Sequence, residues 1–221
     1  MSYHIIDPNL NELIELRAQA KRSDGVLKVM PKDFYAQFEQ GSLSAFCVEM
    51  GCYSLPTIEL LDLVNAKIME ASPSRHAIEV GSGNGVIGEA LGITCTDNWM
   101  QDEPAIKAHY ESLRQPTAPY RSHVQRYDAL SAIERYRPEV VVASWVTHIY
   151  NPAEPHREGN AFGVDEASLL DRIKRYVFVG NLITHGKKPI LARKHELIQG
   201  DFLFSRSMSR GHNALIIWDT L

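Results

Sequence analysis

Between positions 79 and 97 the chain concentrates residue types that can hold a small polar molecule against backbone. The stretch EVGSGNGVIG carries Gly81, Gly83, Gly85 and Gly88 directly after the apolar run AIEV and before a segment able to continue as helix. Glycines this dense let a strand-to-helix turn approach a ligand closely, with N–H groups free to donate to it. Acids accompany the cluster: Glu79 stands at its entrance, and Asp97 and Asp128 end the runs ITCTD and HVQRYD. Taken singly, each acid also reads as a helix cap or a solvated strand end, and the glycines as a tight turn.

The elements that must position these residues follow from the hydrophobic pattern. From residue 76 short apolar runs alternate with helical stretches: HAIEV, GITCTD, HVQRYD, EVVVASWV and RYVFVG, then DFLFSRSM and NALIIWD. A run such as VVVAS, apolar on both faces, suits a strand buried on both sides of a parallel sheet. The rhythm predicts an α/β fold: a doubly wound, mostly parallel sheet over residues 73–221, with the acids at the carboxyl ends of its strands, where open sheets bind ligands. Too few residues separate DFLFSRSM from NALIIWD for a parallel crossover, so these two are expected to form a C-terminal antiparallel hairpin. Residues 1–72 read as a helical N-terminal extension or cap. A helix is expected from about 8 to 22, started by Asp7 and Pro8, with others near PKDFYAQFEQ and across PTIELLDLVNAKIMEA.

Dinucleotides and S-adenosylmethionine compete for such a loop. The fingerprint G-x-G-x-x-G fits GNGVIG at 83–88, but leaves Gly81 without a role and Glu79 near a negative pyrophosphate, which is unfavourable. S-adenosylmethionine carries an ammonium and a sulfonium, so an acid there is favourable. The stretch EVGSGNG resembles motif I of the class I S-adenosylmethionine-dependent methyltransferases, with Glu79 in place of the more frequent Asp. The resemblance spans roughly residues 76 to 221, including the terminal hairpin. It implies cofactor contacts from Glu79, Gly81, Ser82, Gly83, Asn84 and Gly85. It further implies that Asp97 accepts the ribose hydroxyls, that Asn98 and Trp99 line the adenine, and that Asp128 and the N–H of Ala129 meet the adenine edge.

The chemistry after the fourth strand is less clear. Ser144-Trp145 stands where base-amine methyltransferases typically carry Asp/Asn-Pro-Pro-aromatic and metal-dependent relatives an acid, so both subclasses are disfavoured. Ser144 is expected to face the cofactor and Trp145 the substrate. The following segment THIYNPAEPHREGNAFGVD, long and predicted to lack secondary structure, reads as a lid flexing at Gly159 and Gly163. Its His148 and Tyr150 are the catalytic candidates, and His156 and Arg157 candidates for acceptor binding. Surface residues on a mobile loop are the plainer reading of each. The segment CYSLPT adds Tyr53 and Thr57 as candidates for the methionine end of the cofactor.

Composition bounds the rest. With 44% hydrophobic and 23% charged residues the chain is an ordinary globular protein. Of 23 Lys/Arg and 27 Asp/Glu, residues 1–110 hold 8 and 15 and residues 111–221 hold 15 and 12, giving −7 and +3. This is not the strong basic excess of a general nucleic-acid binder. Lys187, Lys188, Arg193 and Lys194 form the one local cluster that could attract RNA. Three cysteines without metal-ligand spacing suggest reduced thiols, no metal and a cytoplasmic protein, and no signal or membrane span is read. The expectation is an S-adenosylmethionine-dependent methyltransferase acting on a small molecule or protein rather than duplex DNA. A non-catalytic S-adenosylmethionine-binding module and an NAD-dependent oxidoreductase remain the alternatives.

Overall fold

The computed structural model describes residues 7–112 and 116–220. The amino-terminal part is helical: α1 (Leu10–Ala20), α2 (Lys32–Ala36), α3 (Gln40–Glu49) and α4 (Ile58–Ala71). Strands and helices then alternate through β1 (Ala77–Val80), α5 (Val86–Leu91), β2 (Thr94–Asp97), α6 (Pro104–Ser112), β3 (Gln125–Arg126), α7 (Ala129–Tyr136) and β4 (Val140–Ser144). The chain ends with α8 (Glu166–Leu170), β5 (Arg175–Asn181), α9 (Leu182–His185), β6 (Glu196–Ile198) and β7 (Asn213–Asp219).

The strands form one sheet in the order β3-β2-β1-β4-β5-β7-β6. The first five in sequence are parallel, and β7 runs antiparallel to both β5 and β6. The order reverses between β1 and β4, which opens a crevice beyond the carboxyl end of β1. This is the doubly wound, mostly parallel α/β sheet with an antiparallel hairpin that the hydrophobic pattern predicts.

Alternate residues feed two cores. Val140, Val142, Val177, Val179, Leu215 and Ile217 face the helical amino-terminal part and α5, whereas Val141, Ala143, Tyr176, Phe178, Ile216 and Trp218 face α7 and α8. Each of the three valines of β4 is fully buried, worth about 1.5–3 kcal/mol apiece. The first core is continuous with Leu16, Phe46, Leu60 and Val64, so the helical extension and the sheet share one interior. Among the described residues no helix is long and apolar enough to cross a membrane.

Two expected elements lie elsewhere. The first helix starts at Leu10 because Asn9, not Asp7, caps it, its side-chain oxygen accepting the N–H of Asn11 at 3.0 Å and of Glu12 at 3.4 Å. The outer strand of the hairpin is Glu196–Ile198, paired with Leu215–Ile217, and not DFLFSRSM. The apolar residues of that run are satisfied by the helical extension instead. Phe204 packs on Tyr35 with ring centroids 5.6 Å apart, and its carbonyl accepts the N–H of Leu55 at 3.0 Å. Residues 201–206 thereby strap the segment before α4 onto the sheet.

Candidate functional site

The glycine turn after β1 is tied down from four sides. The N–H of Ser82 donates to the Thr96 carbonyl at 3.0 Å and that of Gly83 to the Asp97 carboxylate at 2.9 Å. Asn84 donates to the Met50 carbonyl at 3.0 Å, and the N–H of Gly88 reaches the Glu79 carboxyl at 2.8 Å. Gly83 takes φ +55°, a conformation that glycine adopts without strain. A Cβ on Gly88 would meet the Glu79 carboxyl at 2.7 Å, so close approach of β1 and α5 requires glycine there.

Beyond this turn lies a cavity of about 430 Å³, within the range of small-molecule sites. Glu79, Gly81, Ser82, Gly83 and Asn84 form its floor; Asp97 and Asn98, from the end of β2, line one side. Asp128 and Ala129 approach from the start of α7, and Ser144 and Trp145 from the end of β4. Tyr53 closes the wall from the helical extension.

The acids differ in state. Glu79 is 1% exposed, and burial pushes its carboxyl up to about 8 despite the Gly88 N–H. Burial also raises Asp97, which the N–H groups of Gly83 and Trp99 partly offset. Burial works against the Asp128 carboxylate too, yet the Ser131 hydroxyl and the Ser131 and Leu130 N–H groups hold it below its ordinary value. Asp128 is thus the N-cap of α7 as well as a pocket residue. Asp165 is the fourth carboxylate of the wall. Among the described residues, no Lys, Arg or His side chain lines this cavity.

Other expected residues stand outside the wall. Thr57 is buried as the N-cap of α4, accepting the Leu60 N–H at 3.1 Å and donating to the Phe202 carbonyl at 2.9 Å, so it has no free group for a cofactor. Trp99 stacks on Tyr120 at 5.2 Å and an interplanar angle of 5°, and Tyr120 takes the wall position instead. Gly85 is the N-cap of α5 and does not line the cavity. Tyr120, Tyr110, Tyr127 and Phe162 line the cavity without having been expected. Tyr110 comes from α6 and the other three from irregular segments, so no shared periodic signal marks them as one wall.

The segment 147–165 is not a free lid. His148 bridges to Val164 and Ile149 to Asn160, with N–H to carbonyl distances of 2.9 Å for Ile149 to Val164 and for Tyr150 to Asn160. Gly159 and Gly163 are sites of close packing rather than flex points: a Cβ on Gly163 would lie 2.1 Å from the His148 carbonyl oxygen. The His148 ring turns away from the cavity, its Nε2 donating to the Arg157 carbonyl at 3.0 Å. Tyr150 and His156 are exposed outside the wall, and Arg157 pairs with Glu154 at 3.0 Å. Ile149, Asn160 and Phe162 are what the segment contributes to the cavity.

The basic cluster disperses. Lys188 is buried and paired with Glu166 at 2.7 Å, Lys187 pairs with Glu158, and Arg193 with Asp171 at 3.1 Å. Lys194 is exposed. The cluster therefore presents much less positive charge to a polyanion than its sequence suggests.

The donor set fits a nucleoside that carries positive charge. Each Asp97 oxygen receives one backbone N–H and keeps accepting capacity for a diol. The Ser82 Oγ is buried with no partner, a polar atom of the turn left for a ligand to satisfy.

No protein-family model and no curated protein matches the chain. Among solved structures it is similar to an rRNA methylase from Streptococcus thermophilus, at 11% identity over 74% of this chain and 96% of that one, TM-score 0.40. The hMettl16 catalytic domain in complex with MAT2A 3′UTR hairpin 6 matches at 11% identity over 97% and 93%, TM-score 0.39. A SAM-dependent methyltransferase from Agrobacterium tumefaciens matches at 13% identity over 74% and 62%, TM-score 0.35. Every one of these scores is below 0.5, so the class of the protein rests on its own sheet and pocket. These define a Rossmann-like α/β protein with an acidic, nucleoside-sized site at its strand switch point.

Proposed function

We propose that this chain is an S-adenosylmethionine-dependent methyltransferase. The observation that carries this reading is the charge of the cavity wall: Asp97, Asp128 and Asp165 line it beside Glu79, whose buried carboxyl holds its proton up to about pH 8, and among the described residues no cation does. A pyrophosphate would be repelled there, whereas an ammonium and a sulfonium are attracted. The oxidoreductase alternative is disfavoured on the same ground.

When bound, the cofactor supplies an electrophilic methyl group. The chain supplies binding and orientation: the turn at 81–84 approaches the ligand, Asp97 accepts from the ribose, and the aromatic wall keeps water from the reacting centre. Buried thiols at Cys47, Cys52 and Cys95 suit a reducing compartment, and we place the protein in the cytoplasm.

The test is a pair of measurements. S-adenosylmethionine or its demethylated product should raise the melting temperature while NAD leaves it unchanged, since a ligand of the native state stabilises it. Labelled methyl transfer then separates an enzyme from a binding module. Stabilisation by NAD alone would overturn the reading.

A further inference from the structure

The polar inventory of the cavity restricts the acceptor. Its four acids already accept hydrogen bonds: Glu79 from the Gly88 N–H, Asp97 from the Gly83 and Trp99 N–H groups, Asp128 from Leu130 and Ser131, and Asp165 from Ser168. The Asp165 and Asp128 oxygens also accept serine hydroxyls, at 2.7 Å from Ser168 and 2.6 Å from Ser131. Burial keeps the Tyr110 phenol protonated, pushed up to about 12. The catalytic candidate His148 spends its Nε2 proton on a carbonyl. Among the described residues the wall offers no histidine, and its carboxylates already accept hydrogen bonds, which lowers their basicity. An acceptor atom that already holds a free lone pair suits such a site best.

The shape at the end of β4 is equally specific. Trp145, in the left-handed region at φ +59°, stacks on Tyr53 with centroids 5.7 Å apart and planes 24° from parallel. The pair spans the cavity wall from the sheet to the helical extension, with the Arg206 guanidinium 4.8 Å over the Tyr53 ring. The indole N–H of Trp145 is buried and has no acceptor. A buried donor without a partner is costly, and a ligand atom that accepts from it removes the cost.

We propose that the acceptor is a flat nitrogen heterocycle of the nucleobase kind, held against the Tyr53–Trp145 pair and methylated on a ring nitrogen. The Trp145 N–H donates to a carbonyl or second nitrogen of that ring. The lone pair of the ring nitrogen forms the new N–CH3 bond as the carbon–sulfur bond of the sulfonium breaks, and the bonding electrons return to sulfur as a neutral thioether. Positive charge passes to the ring, where aromatic faces and the acidic wall stabilise it. Any ring N–H made acidic by that charge loses its proton to water. The inference rests on the methyltransferase reading above.

The ring could arrive free or within a single-stranded RNA, and the experiment has an arm for each. Full-length protein is incubated with labelled S-adenosylmethionine and adenosine, guanosine, cytidine, uridine or nicotinamide, and in parallel with a 20-nucleotide single-stranded RNA containing all four bases. A catechol and a lysine peptide serve as contrasting acceptors. The expected result is label on an endocyclic nitrogen, located by mass spectrometry; the arm that reacts identifies the source. Trp145→Phe keeps the stack but removes the donor, so KM for the reacting ring should rise about tenfold while cofactor affinity holds. Methyl transfer to an exocyclic amine, a hydroxyl or the peptide overturns the proposal. So does the absence of transfer to every ring while S-adenosylhomocysteine still raises the melting temperature, or an unchanged KM in Trp145→Phe. If S-adenosylhomocysteine itself has no thermal effect, it is the cofactor reading that has failed.

Discussion

Asp97 accepts the Gly83 N–H through one carboxylate oxygen and the Trp99 N–H through the other, each at 2.9 Å, so a single side chain locks the end of β2 to the glycine turn after β1. The same oxygens are the diol acceptors of the proposed site. Asp97→Ala therefore removes a ligand contact and a structural tie together. Affinity for S-adenosylhomocysteine should fall by roughly 1.5–3 kcal/mol, the usual value of a hydrogen bond to a charged group, and the melting temperature should fall as well. Titration calorimetry beside a thermal melt reads both. Unchanged affinity would place the ribose elsewhere.

Glu79 gives a stability prediction with a definite sign. Its carboxyl titrates near 8 in the folded chain against an ordinary value of 4.5, so between these values the native state holds a proton that the unfolded chain has lost. Stability must fall as pH rises through that window. The depressed histidines act oppositely: burial lowers His185 to about 4, and burial followed by Lys188 lowers His148, so both withdraw stability as pH falls below about 6.5. The Glu79 effect is therefore cleanest between about pH 6.5 and 8. Denaturant melts should show wild type losing stability there, and Glu79→Gln, whose amide oxygen still accepts the Gly88 N–H, losing much less. Parallel curves would show that Glu79 ionises normally.

That acid also shows how far the sequence reaches. The strand rhythm from residue 76 carried the sheet, because buried parallel strands such as VVVAS leave a direct apolar signature. The spacing of Glu79, Asp97 and Asp128 placed them at adjacent strand ends around one cavity. Orientation was not legible: the sequence cannot say that Glu79 turns onto Gly88, or that His148 turns onto Arg157. DFLFSRSM misled for a related reason. An apolar run states a need for burial, and Phe204 found it against Tyr35 rather than in the sheet. Tyr120 reaches the wall through tertiary contacts that no local pattern encodes.

For the segment 147–165, the structure predicts a structural role for the histidine. His148→Ala should lose the bond to the Arg157 carbonyl, costing about 1 kcal/mol, and loosen residues 151–158. Amide exchange at Tyr150 and Asn160 should quicken and proteolysis between Asn151 and Glu158 should increase, while cofactor affinity stays near wild type. His148→Gln, which keeps a donor, should restore most of the protection. If His148→Ala instead abolishes methyl transfer with exchange unchanged, the ring works in the chemistry and not in the loop.

The last prediction separates the three lysines of the 187–194 region. Lys188 lies 2.7 Å from Glu166, Tyr176 donates to the same carboxylate oxygen at 2.8 Å, and the ammonium sits 4.5 Å over the Phe178 ring. All of this is buried behind the sheet. Lys188→Met would leave Glu166 charged and unpaired in the interior, a change that costs about 3–5 kcal/mol. The double variant Lys188→Met with Glu166→Gln removes both charges and should recover most of that loss. Lys187→Ala and Lys194→Ala, at exposed sites, should alter stability by no more than about 0.5 kcal/mol. Urea denaturation of the four variants checks the ranking. If Lys188→Met is as stable as wild type and instead weakens retention of a single-stranded RNA in a salt-dependent way, Lys188 is a surface cation and the buried pair is misplaced.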